Sequence, residues 1–373
     1  MSERARAWWG DELVADSAAA RREEPPDGPP RLWFPRADVR EDRLDALAGR
    51  WQAGTGERDG HVAFDDDALR VEMVEGDVTT RFPTWGDATH LVDLLAVRPA
   101  GEPGRYRTAA RGHWYRNVVE ASQMLGQAVV AAGRHAPDRR PVMAAMAFTR
   151  PADARHPVDI ALDDLSAGRT FTTLAARVTQ GDRLCAAGTL LLDRSSPDVI
   201  RHAADAPEAT AAGPKRATPI DMGVTGREVR VVGDAYTGDP DAPVGPPVLE
   251  AWVRFRPGAV PDDPPLHAGL LAQFTGHMSI AAALRPHAGI GQDQAHRTLS
   301  TGINAITISF HGTVRADRWM LYHHLSTFAG DGMTHSECRV HGEDGALLAS
   351  FTVEAMVRGF SDSTGPADDR TAL

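Results

Sequence analysis

Two pairs of polar side chains stand four residues apart inside otherwise apolar runs. Gln123 and Gln127 lie in "ASQMLGQAVVAA", and Gln273 and His277 lie in "LAQFTGHMSIAA". Four-residue spacing puts each pair on one helix face. An amide or imidazole inside a buried helix needs hydrogen-bond partners, or it costs about 1–3 kcal/mol. Each residue alone is explained equally well by a bond to nearby backbone; the same polar face written twice points to a site. An imidazole titrates near pH 6.5 (about, for an unperturbed group), which suits His277 to taking a proton near neutrality. Glu120 heads the first run, where a carboxylate pairs with the positive end of a helix and could also stand at the mouth of a site.

These residues need two helices to carry them, one from about Val118 to His135 and one from about Leu266 to Leu284. Each is followed by strand-like segments. "PVMAAMAFTR", "HPVDIALDDLS", "TFTTLAARVTQ" and "LCAAGTLLLD" follow the first; "NAITISFHG", "RWMLYHHLST", "MTHSECRVHG" and "LLASFTVEAMVRG" follow the second. Partial alternation and β-branched content support strands here. The order recurs in register. Gln123, Gly126 and Gln127 match Gln273, Gly276 and His277 at one offset. Phe148 to Gly168 and to Val178 repeat as Phe310 to Gly330 and to Val340. The unit is one long helix followed by several antiparallel strands, present twice. A helix that is apolar nearly all round is buried all round, so each sheet should wrap its helix. Gly126 and Gly276 then allow close approach, at about 1 kcal/mol of helix propensity each.

Composition narrows the function classes. The 373 residues are 42% hydrophobic and 24% charged with a net charge of −11, a poor balance for a generic nucleic-acid ligand. No run of about 18 apolar residues is present, so no membrane span is expected, and without a signal-peptide core the expected location is cytoplasmic. Cys185 and Cys338 are the only cysteines and read as small buried thiols. The G-x-S-x-G, phosphate-loop and H-E-x-x-H motifs are absent. No metal or redox cofactor is implied. His323 and His324 alternate across a strand, so at most one points inward. Arg169, Arg285 and Arg297 are candidates for meeting coenzyme phosphates.

The repeat and its segments resemble the tandem hotdog fold of the acyl-CoA thioesterase II family. "SQMLGQA" is similar to the start of that family's central helix. "FTRPADARHPVDIALDDLSAGRTFTTLAARVTQGDRLCAAG" resembles its first-half strands, and "PDDPPLHAGLLAQFTGHMSIAAALRPHAGIG" with "FHGTVRADRWMLYHHLSTFAGDG" its second half. The likeness covers roughly residues 85–360. It implies an α+β tandem (double) hotdog, each unit a curved antiparallel sheet wrapped round one long central helix. The expected organisation is a partly irregular extension over 1–84, a first hotdog unit over 85–201, a linker over 202–218, a second unit over 219–360 and a tail over 361–373.

The same resemblance implies an acyl-CoA or acyl-carrier-protein thioester as the partner, and a homodimer or homotetramer. In such enzymes the N-terminus of the central helix presents free N–H groups to the thioester carbonyl. The family's water-activating Asp, Thr and Gln do not transfer cleanly. The Asp falls on Gly276, beside His277. The Thr falls on Ser300 or Ile303, depending on the anchor, with Thr301 between them, and the Gln on Val353 or Glu354. The family's Gly-Gly before the first-half Gln is Ala121-Ser122 here. One reading keeps hydrolysis with a changed set: His277 as base, Ser300 or Thr301 orienting water, and Glu354 steering His277. Glu120, Gln123, Gln127, Gln273 and Gly276 then line the substrate. The alternatives are a hotdog hydratase or dehydratase acting on acyl thioesters, and a non-catalytic acyl-binding protein.

Overall fold

Helix α1, Ala121–His135, is rich in alanine with Leu125, Met124 and two glutamines, and carries Arg134 and His135 in its last turn, where positive charge complements the helix dipole. It begins after Val118–Val119 because those two residues pair as a short strand with Ala152–Asp153. The coordinates are a computed structural model that describes residues 4–23, 31–65, 69–75, 78–81, 92, 94–108, 118–154, 156–220, 227–236, 241–255, 260–295 and 298–360. Nearly every residue of α1 is buried, as the apolar character of the helix on nearly all sides requires.

The strands around α1 are β1 (Arg105–Arg107), β2 (Arg140–Phe148), β3 (Asp159–Ala167), β4 (Phe171–Gln180) and β5 (Arg183–Asp193). The later strands are β6 (Glu228–Val231), β7 (Val248–Arg254), β8 (Leu299–Phe310), β9 (Met320–Gly330), β10 (Met333–Gly342) and β11 (Leu347–Gly359). Among the described residues all of them belong to one 13-stranded sheet, with short strands Thr218–Ile220 and Arg98–Pro99 at its two edges. Strands β2 and β8 pair antiparallel and join the two repeats. In that ladder Ala145 lies opposite Thr307, and the offset between these two is the one that relates Phe148 to Phe310. The join is therefore centred on equivalent positions, as in an isologous contact between like units.

The second helix departs from the expected single rod. It is α2, Pro264–Phe274, followed by a break and by α3, Ser279–Leu284. Pro264 and Pro265 start α2, where a missing N–H costs nothing. At its end the Thr275 hydroxyl donates to the Ala272 carbonyl, and Met278 takes a left-handed conformation with φ of 69°. A non-glycine residue there stores backbone strain.

Helices α1 and α2 pack against each other, antiparallel. Gly133 lies beside Pro265, Gly126 beside Gly269, and Ser122 beside Gly276. A Cβ on Gly126 would stand 2.6 Å from the Gly269 carbonyl oxygen, and one on Gly269 would stand 2.9 Å from the Gly126 carbonyl oxygen. The two backbones touch where only glycine fits. Helix α3 instead packs on β9, β7, β10 and β11. One apolar core spans both repeats, with Leu125, Val129, Leu174, Leu270, Phe274 and Tyr322 among its members.

Residues 4–81 add two four-stranded sheets with a core of their own that includes Phe34, Leu44, Leu47 and Val62. Between the strands of this extension, Glu41–Leu44 forms a single turn of helix. Within the 202–218 segment, Glu208–Ala212 forms another short turn of helix. Among the described residues no helix is long and apolar enough to cross a membrane.

Candidate active site

The start of α1 and the end of α2 meet in one place. Gly276 makes this possible, since a Cβ there would stand 2.9 Å from the Ser122 Cβ and 2.5 Å from its Oγ. Glu120 is the N-cap residue of α1, but its side chain does not cap the helix. It reaches across to the second repeat instead. Gln273 Nε2 donates to Glu120 Oε2 at 3.0 Å, and His277 Nε2 stands 3.5 Å from the same oxygen.

Arg227, the residue before β6, fixes the orientation of these groups. Its NH1 donates to Gln273 Oε1 at 2.5 Å, and its NH2 contacts His277 Nε2 at 3.2 Å. Arginine can only donate, so the bond to Gln273 turns the amide oxygen towards Arg227 and the amide NH₂ towards Glu120. The same rule makes His277 Nε2 an acceptor in its contact with Arg227, with the imidazole proton on Nδ1. The guanidinium carbon also lies 4.8 Å from the Phe274 ring centroid, a cation–π contact. Arg227 is only 3% exposed, whereas 29% of the Glu120 side chain is exposed. The carboxylate is thus the member of the cluster most open to a reactant.

The backbone beside it offers hydrogen-bond donors. The N–H groups of Gln123 and Met124 both bond to the Glu120 carbonyl. Those of Ala121 and Ser122, the first two of the helix, have no acceptor among the described residues. Orphan N–H groups at a helix start attract a developing negative charge.

Of the residues singled out from the sequence, Glu120, Gln273, Gly276 and His277 come together here. Gln123 and Gln127 are buried on α1. Gln127 Nε2 donates to the Leu94 carbonyl at 2.6 Å, a backbone anchor. The Oε1 atoms of both Gln123 and Gln127 are buried with no partner among the described residues.

The carboxylate beside His277 is Glu120, and the expected steering of His277 by Glu354 gives way to a different pair. Glu354 Oε1 lies 2.5 Å from His335 Nδ1. Strand alternation explains this, because Val353 and Ala355 are buried and turn Glu354 to the other face of β11, opposite His335. The same alternation separates Thr301, fully buried on β8, from half-buried Ser300.

His324 is the inward member of its pair; His323 pairs with Glu250 at 2.9 Å. Burial, with smaller contributions from His323 and His277, holds the His324 imidazole down to about 3. Of the arginines, Arg285 NH1 is engaged by the Val248 carbonyl at 2.7 Å, Arg169 is exposed, and Arg297 lies outside the described residues. Among the described residues no group of three or more His, Cys, Asp or Glu is arranged to hold a metal ion. Arg227 carries no sequence signal of its own. It precedes a strand and becomes informative only when its guanidinium is seen among Gln273, His277 and Phe274.

Comparison with known proteins sets this geometry in context. Residues 110–192 match the model of the acyl-CoA thioesterase N-terminal domain, and residues 197–357 match that of the C-terminal domain. Together they take in more than half of the chain. The chain is 24% identical over 273 residues to human acyl-coenzyme A thioesterase 8, covering 63% of this chain and 79% of that protein. A solved TesB protein of Mycobacterium avium subspecies paratuberculosis aligns with TM-score 0.59 at 22% identity, over 73% of this chain and 99% of that one. The acyl-CoA thioesterase II TesB2 of Mycobacterium marinum aligns with TM-score 0.59 at 21% identity, over 72% and 97%. The structural likeness gives a hotdog fold.

Proposed function

Because this chain belongs to the acyl-CoA thioesterase family and is an acyl-thioester hydrolase, we propose that the cluster of Glu120, Gln273, His277 and Arg227 performs its hydrolysis. The observation that carries this reading is the meeting of a partly exposed carboxylate, Glu120, with the N–H groups of Ala121 and Ser122, which have no acceptor among the described residues. The thioester carbonyl sits against those N–H groups, and water sits at the Glu120 carboxylate.

The water oxygen bonds to the carbonyl carbon while its proton passes to Glu120. The oxyanion is held by the helix N-terminus, where one donor is worth about 10²–10³ in rate. The C–S bond then breaks, and the departing thiolate recovers the proton. The products are a carboxylic acid and free coenzyme A thiol. His277 serves as a positioning residue: with Arg227 bonded at Nε2, its lone pair is engaged, and the proton acceptor is the carboxylate. Gln273 holds the carboxylate in place.

The architecture in this proposal is two fused hotdog units, 85–201 and 219–360, joined through 202–218, with 1–84 as an extension and 361–373 as a tail. The matched strand orders and the centring of the β2–β8 ladder on Ala145 and Thr307 support it. Open sheet edges at Thr218–Ile220 and Arg98–Pro99 favour association into a homodimer or homotetramer.

The test is thiol release from a panel of acyl-CoA thioesters. Release that falls about 10²–10⁴-fold in Glu120→Gln, with folding intact, supports carboxylate base catalysis. Undiminished release in that variant refutes it.

A further inference from the structure

The two repeats pair their matching strands in the same register. Leu162 lies opposite Ala176 in the first, and His324 lies opposite Cys338 in the second. Asp164–Leu174 is matched by Ser326–Ser336, the bulge that follows recurs, and Ala167–Thr172 is matched by Ala329–Thr334. At equivalent inward positions the side chains differ in kind. Leu162, Leu174 and Ala176 are buried in the first repeat, and their counterparts His324, Ser336 and Cys338 are buried in the second.

The polar set is satisfied internally only in part: Cys338 Sγ lies 3.4 Å from His324 Nδ1. His324 Nε2, Ser336 Oγ and Thr334 Oγ1 are buried without a hydrogen-bond partner among the described residues. An unpaired buried polar group is destabilising, and the aliphatic alternative is written in the same chain at Leu162 and Leu174. Thr334, Ser336 and Cys338 share one face of β10, so the groups form a strip. The strip begins beside the proposed site. Ser279 Oγ lies 3.1 Å from His324 Nδ1, and Ser279 stands two residues after His277. Ser279 and Cys338 both meet that nitrogen, and Nε2 is left without a partner among the described residues. The groups are a hydroxyl, a hydroxyl and an imidazole kept neutral by burial, so they suit an uncharged oxygen.

We propose that the strip is a subsite of the second repeat for an acyl chain bearing a hydroxyl or oxo oxygen, in preference to a plain alkyl chain. This rests on the hydrolase reading above and names its substrate class. Helix α3 packs over β9 and β10, where the strip lies, and the left-handed Met278 precedes it.

The test uses the full chain and matched-length acyl-CoA thioesters: plain, hydroxylated near the thioester, and hydroxylated at the far end. At least one hydroxylated thioester is expected to exceed the plain one in kcat/KM by about tenfold or more, because a site built to bond an oxygen discriminates against a ligand lacking it. Ser336→Ala, and His324→Leu as in the first repeat, should bring that ratio close to one while hydrolysis of the plain thioester persists. Equal kcat/KM across the wild-type panel, or a ratio unmoved in Ser336→Ala, overturns the subsite. If His324→Leu fails to fold, Ser336→Ala carries the test alone. If no thioester is cleaved, the hydrolase reading has failed separately. Calorimetric binding then decides the subsite: tighter binding of a hydroxylated acyl-CoA supports it, and equal binding overturns it.

Discussion

Glu120 Oε2 and His277 Nε2 stand 3.5 Å apart, although one residue opens the helix of the first repeat and the other follows the helix of the second. The site thus exists only where the repeats meet. The proposed mechanism gives the two residues unequal roles, and mutation should separate them. Glu120→Gln removes the proton acceptor and should lower kcat by about 10²–10⁴-fold. His277→Ala removes a positioning contact and should cost far less. A loss in His277→Ala equal to that in Glu120→Gln, measured in the same thiol-release assay, would return the base role to the imidazole.

Arg227 sets the orientation of Gln273 with one nitrogen and contacts His277 with another. A lysine supplies a charge but not this fork. Arg227→Lys should therefore keep the fold and lose about tenfold or more in kcat/KM, since small misplacement of catalytic groups is expensive. Unchanged kinetics in a variant that melts like the wild type would remove Arg227 from the mechanism.

The glycine contact between α1 and α2 predicts a stability effect. Gly126→Val places branched bulk where a Cβ alone would be 2.6 Å from a backbone oxygen that cannot rotate away. Overpacking of this kind costs about 1–3 kcal/mol or more. The urea midpoint should fall, whereas Glu120→Gln should leave it nearly unchanged. A Gly126→Val protein with the wild-type midpoint would contradict the close helix approach.

The buried His324 makes stability depend on acidity. Its folded-state value is held down to about 3, against an ordinary imidazole value of 6.5. Between these values the unfolded chain takes up a proton that the folded chain refuses. The contribution is fully present above pH 6.5 and is lost as pH falls towards 3. The slope from this group is at most ~1.4 kcal/mol per pH unit. His267 and His341 are also lowered, mainly by burial, and act in the same direction. Urea unfolding at pH 7 and pH 5 should show the loss, and His324→Leu should flatten it. An unchanged pH slope in that variant would assign the acid sensitivity to other groups.

The sequence determined the elements and their repetition. Helix periodicity, strand alternation and the turn residues between them are local properties, so the helix at α1, the strands β2–β5 and β8–β11, and the offset between the repeats were all legible before any coordinates. The recurring polar helix face also marked Gln123, Gln127, Gln273 and His277 as candidates, because a buried polar group needs a partner wherever it lies, and Glu120 stood out as the residue heading the first helix. The break between α2 and α3 was not legible: the apolar pattern continues through it, and the interruption arises where Thr275 turns back on Ala272 and Met278 adopts φ of 69°. Partner choice belonged to the tertiary structure alone. Glu354 was drawn to His335 by strand register, Glu120 was brought to His277 by two helices meeting at glycines, and Arg227 entered the site from just before a strand that no motif connects to it. Distances between groups far apart in the chain depend on how the repeats pack, and spacing along a sequence carries no record of that packing.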